Sequence, residues 1–210
     1  MTRHFIWDFD GTLYDTYPHT LAAFCETFRR RGVEIDSAEA YRRFKVTMWD
    51  AFRYYGVDED FIQAFYAVED DLDFEPKGAP FPGIPALLEE IVRRGGRNYL
   101  YTHRDRVSLA YLRRDGLEPL FAGFITREDG FPLKPAPNAL RSLLRTYALA
   151  PGACLMIGDR AIDVQAAAAA GIPGCLFDPE RTGVAADCLY RCDTVPALSA
   201  LTRRLMGASA

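Results

Sequence analysis

Apolar positions along the chain follow two periods, and the change comes near residue 80. Leu21, Phe24, Cys25 and Phe28 recur at i, i+3, i+4 and i+7, one face of an amphipathic helix. Tyr41, Phe44, Met48, Phe52 and Tyr55 form a second such stripe, closed by Gly56. Phe61, Phe65, Tyr66, Glu69 and Leu72 mark a third, with Asp58 or Asp60 as the N-cap. Three short helices are therefore expected in residues 14–80, where 14 of the chain's 27 aromatic residues lie. Large rings let a small bundle bury enough surface to hold together. The acidic run Glu69, Asp70, Asp71, Asp73 and Glu75 reads as a solvated face rather than a metal site.

From Phe81 onward the pattern turns to apolar runs alternating with helical stretches. Strands are expected at residues 4–9, 99–102, 123–126, 154–158 and 174–177. Helices are expected after Pro82-Gly83, with Leu87, Leu88, Ile91 and Val92, and at residues 107–114, 138–147 and 163–170. Five strands separated by helices predict an α/β fold, a doubly wound, Rossmann-like parallel sheet. Residues 1–13 and 81–210 would form this core, and 14–80 a helical insertion. The insertion leaves from the end of the first strand, the edge where open α/β sheets bind ligands, so it is placed to cover a site.

Composition removes several classes of function. Twenty-five basic and 29 acidic residues leave a formal charge of −4, which argues against nucleic-acid or anionic-membrane partners. The longest uncharged apolar stretch, 164–177, is broken by Gln165, Gly171 and Pro173, too short to span a bilayer. The first residues lead into a strand without a signal-peptide pattern, so a cytoplasmic protein is expected. The five cysteines match no zinc spacing and read as buried thiols in a reducing compartment. Only Lys45, Lys77 and Lys134 among the basic residues are lysines, which gives a lysine at a chemically plausible position added weight.

Acids close two of the expected strands. Phe5-Ile6-Trp7 runs into Asp8-Phe9-Asp10-Gly11-Thr12, and Cys154-Leu155-Met156-Ile157 into Gly158-Asp159, with Asp163 four residues on. Parallel strands aim their ends at one crevice, where four carboxylates repel unless a cation joins them. A hard divalent ion such as Mg²⁺ suits that donor set. Thr102 ends a third apolar run and could donate to an anionic oxygen. Lys134, flanked by Pro132 and Pro135, reads as an anion clamp.

Asp8-x-Asp10-Gly11-Thr12, Thr102, Lys134-Pro135 and Gly158-Asp159-x-x-x-Asp163 together resemble the four ordered motifs of the haloacid dehalogenase-like hydrolase superfamily. The insertion after the first motif is similar to the helical cap of its phosphoglycolate phosphatase-like subgroup. The resemblance implies a phosphatase that hydrolyses a small phosphorylated metabolite through an aspartyl-phosphate. Asp8 would be the nucleophile and Asp10 the general acid and base. Gly11, Thr102, His103 and Lys134 would bind the phosphate. Mg²⁺ would be held by Asp8, the Asp10 carbonyl, Asp159 and Asp163. An acid at position 10 and the absence of a family-type lysine within the cap disfavour dehalogenase and phosphonatase chemistry. A sugar-phosphate mutase and a non-catalytic binding protein are the alternatives, and a monomer or homodimer is expected. Two features depart from the family pattern: Arg160 after Asp159, and His103-Arg104 after Thr102. Tyr17, His19, Arg43, Lys45, Trp49 and Arg53 are candidates for selecting the substrate.

Overall fold

The computed structural model describes residues 1–71 and 73–207. In chain order its elements are β1 (His4–Trp7), β2 (Tyr14–Asp15), α1 (Tyr17–Arg30), α2 (Ser37–Val46), α3 (Met48–Tyr55), α4 (Glu59–Glu69), β3 (Ala79–Pro80), α5 (Ile84–Arg93) and β4 (Arg97–Tyr101). There follow α6 (Val107–Arg114), β5 (Phe121–Ile125), α7 (Asn138–Thr146), β6 (Cys154–Gly158), α8 (Ala161–Ala169), β7 (Gly174–Phe177), β8 (Tyr190–Cys192) and α9 (Val195–Met206). The chain divides into two compact units, Met1–Tyr14 with Pro80–Ala210, and Asp15–Ala79. No helix among the described residues is long and apolar enough to cross a membrane.

The first unit is built on one parallel sheet in the order β5-β4-β1-β6-β7-β8, the doubly wound arrangement that the alternation of elements predicts. Side chains alternate across it with period two. Ile6, Tyr99, Tyr101 and Met156 pack on one face with Leu140 and Leu143 of α7 and Ala166 and Ala167 of α8. Trp7 points to the other face, where its indole N–H donates to Asn98 Oδ1 at 3.0 Å and Asn98 donates to the Leu88 carbonyl of α5. That buried amide is thus satisfied rather than stranded. Besides the two-residue strands β2 and β3, two elements go beyond the sequence reading: β8, three residues long at the sheet edge, and α9, started by Thr194, whose hydroxyl accepts from Ala197 N–H. A three-residue strand carries too little alternation to announce itself.

In the helical unit Phe24 sits at the centre. The rings of Phe28, Phe44, Phe52, Tyr55, Phe61 and Phe65 surround it at centroid distances of 5.0–6.1 Å, most of them edge-on. The second expected helix is in fact two, α2 and α3. Thr47 adopts φ −160° and ψ 157°, and its hydroxyl accepts from the Asp50 N–H, which caps a new helix. The aromatic stripe runs unbroken across this cap, so periodicity alone reads one helix. Asp58, not Asp60, caps α4 by accepting from Phe61 N–H. Leu72, expected on the third stripe, lies outside the described residues.

The acidic run is not uniformly solvated, because Glu69 is buried and its carboxylate accepts from Thr20 Oγ1 at 2.7 Å. Beside it both ring nitrogens of His19 meet carbonyl oxygens, of Pro76 at 2.7 Å and of Glu69 at 2.6 Å. His19 is therefore engaged within the bundle. Lys45 lies over the Tyr17 ring at 3.7 Å, and Arg43 over Tyr54 at 4.2 Å while pairing with Glu39. Trp49 is exposed.

Candidate active site

Sheet register creates the site. Trp7 stands opposite Leu100 on β4 and Ile157 on β6, so β1 stops one residue short of its neighbours and the residues that follow the three strands fall within one register step of each other at one edge. Asp8, Thr102 and Asp159 are those residues, and all three are buried. The chain reverses direction across the sheet next to β1, the switch point where open α/β sheets form their crevice. Gly158 lets the fourth acid in. A Cβ there would lie 2.3 Å from Asp163 Cγ, so any side chain at 158 displaces the Asp163 carboxylate. Asp163 is also fixed by its own helix start, where Oδ2 accepts from the Arg160 N–H at 3.0 Å. Gly11 turns the chain after β1 with φ +70°, a left-handed conformation that favours glycine.

Lys134 joins the carboxylates. Its Nζ donates to Asp8 Oδ1 at 2.8 Å and to the Tyr101 carbonyl at 3.0 Å, and lies 2.7 Å from Asp163 Oδ1. The three side chains are 0–1 % exposed. Oxygens of Asp8, Asp159 and Asp163 lie within 4.8 Å of one another. Asp8 Oδ2 is buried with no hydrogen-bond donor among the described residues, and Arg160 Nη2 lies 4.0 Å from it. Burial, then the neighbouring Asp163 carboxylate, push the Asp8 carboxyl up to about 7, against the pull of Lys134 and Arg160. Burial presses upward on Asp163 too, but Lys134 and Arg160 together hold it below the usual carboxylate range. Burial alone would lower Lys134; Asp163 and Asp8 outweigh it and keep the ammonium charged.

This arrangement passes a test of fit for a divalent cation. Three buried carboxylates share one small space, and all the ligand atoms are hard oxygens. The Asp10 carboxylate is not part of that cluster. It turns instead to Arg104, whose Nε lies 3.0 Å and 3.3 Å from its two oxygens and whose Nη2 lies 3.0 Å from Oδ1. In the sequence Arg104 stands out only as a departure from the family pattern after Thr102. The partner of Asp10 could not be read from residues 94 positions away.

Thr102 and His103 occupy the turn after β4 in different ways. Thr102 Oγ1 accepts from Arg104 N–H at 2.9 Å, which leaves its own hydroxyl proton to donate to an anionic oxygen. His103, expected among the phosphate-binding groups, uses Nε2 to accept the Lys134 backbone N–H at 2.7 Å. The ring therefore holds up the lysine's backbone from behind, and its proton sits on Nδ1. Burial, then Lys134 and Arg160, lower its pKa to about 3. The unfolded chain takes up this proton near pH 6.5 while the folded one refuses it. Stability supplied by His103 is thus complete above pH 6.5 and is lost as pH falls towards 3, by at most about 1.4 kcal/mol per unit. In chemical denaturation, His103→Gln, which keeps an acceptor at this position, is expected to match wild type at pH 7.5 and to lose less stability between pH 6.5 and 4.5. Parallel pH curves for the two proteins would place the imidazole in solvent.

The family model of haloacid dehalogenase-like hydrolases matches residues 5–177. A plasmid-encoded phosphoglycolate phosphatase of Cupriavidus necator is 33% identical over 100 residues, 47% of this chain and 43% of that protein, so the match spans less than half the relative's length. A phosphoglycolate phosphatase of Mesorhizobium japonicum is 26% identical over 180 residues, covering 80% of this chain and 79% of the relative. Among solved structures, a hydrolase from Streptococcus pneumoniae is 32% identical with a TM-score of 0.63, over 84% of this chain and 94% of the other.

Proposed function

The chain belongs to the haloacid dehalogenase-like hydrolases, and from that premise we propose that it hydrolyses small phosphomonoesters by passing the phosphoryl group through Asp8. The observation that carries the reading is the buried Asp8 carboxylate, with Oδ1 taken by Lys134 and Oδ2 lacking a hydrogen-bond donor among the described residues. An oxygen held in a dry site without a donor is a poor resting arrangement and a good nucleophile.

In the first half-reaction Asp8 Oδ2 attacks phosphorus, the bond to the leaving oxygen breaks, and Asp10 gives that oxygen its proton. In the second, Asp10 takes a proton from water. The hydroxide attacks phosphorus, the bond to Asp8 breaks, and orthophosphate leaves. Lys134 and the Thr102 hydroxyl stabilise charge on the non-bridging oxygens. Lys134 also orients the nucleophile, since its ammonium fixes Oδ1. Asp8, Asp159, Asp163 and the Asp10 carbonyl would hold Mg²⁺, which when bound supplies positive charge to the phosphoryl group. The helical unit is assigned the cap's role of selecting the substrate.

The test is release of orthophosphate from p-nitrophenyl phosphate and from phosphoglycolate, the compound in the relatives' names. Turnover is expected with Mg²⁺, to vanish with excess chelator and to return on adding the ion back. Conversion of a sugar phosphate to its isomer without orthophosphate release would replace this reading with the mutase alternative. Wild-type protein that turns over neither phosphate with any divalent ion would remove it.

A further inference from the structure

We propose that Arg104 is a positioning residue that holds the Asp10 carboxylate in its working orientation. The inference rests on the reading of Asp10 as the acid and base of a phosphatase. Asp10 stands in the turn after β1 and its side chain is 26 % exposed, whereas the Arg104 side chain is 6 % exposed. The better anchored member of the pair is therefore the arginine. Its backbone is tied on both sides: the N–H donates to Thr102 Oγ1 at 2.9 Å and the carbonyl accepts from Arg127 N–H at 3.1 Å. Thr102 in turn is held by its N–H to the Ile125 carbonyl of β5. A chain of contacts thus runs from the sheet, through the Thr102 turn, to a planar guanidinium. Its two shortest contacts, both 3.0 Å, converge on Asp10 Oδ1. Oδ2 lies farther, at 3.3 Å from Nε, and is the oxygen we assign to proton traffic. A guanidinium fork fixes both the place and the plane of a carboxylate, which an ammonium cannot.

The experiment compares wild type, Arg104→Met, Arg104→Lys and Asp10→Asn on two probes with Mg²⁺ present. The p-nitrophenolate group leaves from p-nitrophenyl phosphate without a proton, whereas glycerol from glycerol 3-phosphate needs one. In Arg104→Met, kcat/KM, which reports the first half-reaction alone, is expected to fall about 10- to 100-fold further on glycerol 3-phosphate than on the aryl phosphate, while hydrolysis of the shared intermediate slows equally for both. Asp10→Asn should show the same selective loss, and joining the two substitutions should add little. Arg104→Lys, which keeps the charge but not the fork, should restore only part of the difference. Crystal structures of wild type and Arg104→Met give a readout independent of turnover: one Asp10 rotamer in the first, more than one in the second. Equal loss on both probes with a lower melting temperature would make Arg104 structural. Faster turnover of glycerol 3-phosphate in Arg104→Met would make it a brake on Asp10 rather than a guide, and either result overturns the proposal. Failure of the phosphatase reading itself shows elsewhere, as wild-type protein without metal-dependent turnover of any phosphate.

Discussion

Asp8→Asn is expected to cut phosphatase turnover by at least about 10³-fold while leaving the protein folded and, in metal-free buffer, at least as stable as wild type. The loss follows from chemistry: an amide nitrogen or oxygen does not form the ester bond to phosphorus that the reaction needs, and removing a nucleophile typically costs this much or more. The stability follows from charge. Asp8, Asp159 and Asp163 are buried together, with Lys134 and Arg160 as the cations that reach them. Burial first, and then the excess of three negative groups over two positive ones, raise the pKa of Asp8 to about 7. Asparagine retains an oxygen to accept from Lys134 and removes that excess. The measurements are orthophosphate release at saturating substrate and a thermal melt in chelator. Turnover above a tenth of wild type would move the nucleophile elsewhere. A melting temperature several degrees lower would show that the Asp8 charge, rather than its shape, holds the site together.

Why so much of this site was legible is itself physical. A carboxylate at the end of an apolar strand is conspicuous because nothing in the strand pays its desolvation, and Asp8 and Asp159 carry that signature in the sequence. Lys134 stood out because the chain otherwise uses arginine. The strands that bring them together were legible as short apolar runs, since Phe5, Ile6 and Trp7, like Leu155, Met156 and Ile157, are all fully buried. What escaped was pairing between loops. Arg104 meets Asp10, and His103 meets the backbone of Lys134, across separations of 94 and 31 residues that no local pattern encodes. The helix break at Thr47 escaped for the opposite reason, because the stripe continues while the extended backbone of Thr47 interrupts the helix and its hydroxyl caps the next one. Glu69 was misjudged because its acidic neighbours suggested solvent, whereas its own position on α4 faces Thr20 of α1.

Lys134→Met is expected to be the most damaging single substitution at the site for stability. The ammonium sits between two carboxylates, 2.8 Å from Asp8 and 2.7 Å from Asp163, with all three side chains 0–1 % exposed. Methionine fills the volume of the stem but leaves both carboxylates without their shared cation. Removing one partner of a buried ion pair typically costs about 3–5 kcal/mol. For a chain of this length that corresponds to a fall in melting temperature of roughly 6–20 °C. The penalty belongs to the stranded charges, so neutralising one of them should return part of it. Lys134→Met/Asp163→Asn is therefore expected to melt above Lys134→Met, although Asp163→Asn alone is no more stable than wild type. The coupling between the two positions, read from the four melts in chelator, should lie in the range of about 0.5–3 kcal/mol found for residues in contact. Strict additivity would mean that Lys134 and Asp163 do not share a charge, and a single-variant loss of under about 2 °C would mean that water reaches the lysine. Activity separates stability from chemistry, because Lys134 also holds Oδ1 of the nucleophile. The double variant should regain stability without regaining turnover, for no neutral side chain at 134 supplies the positive charge on which the transferring phosphoryl group depends.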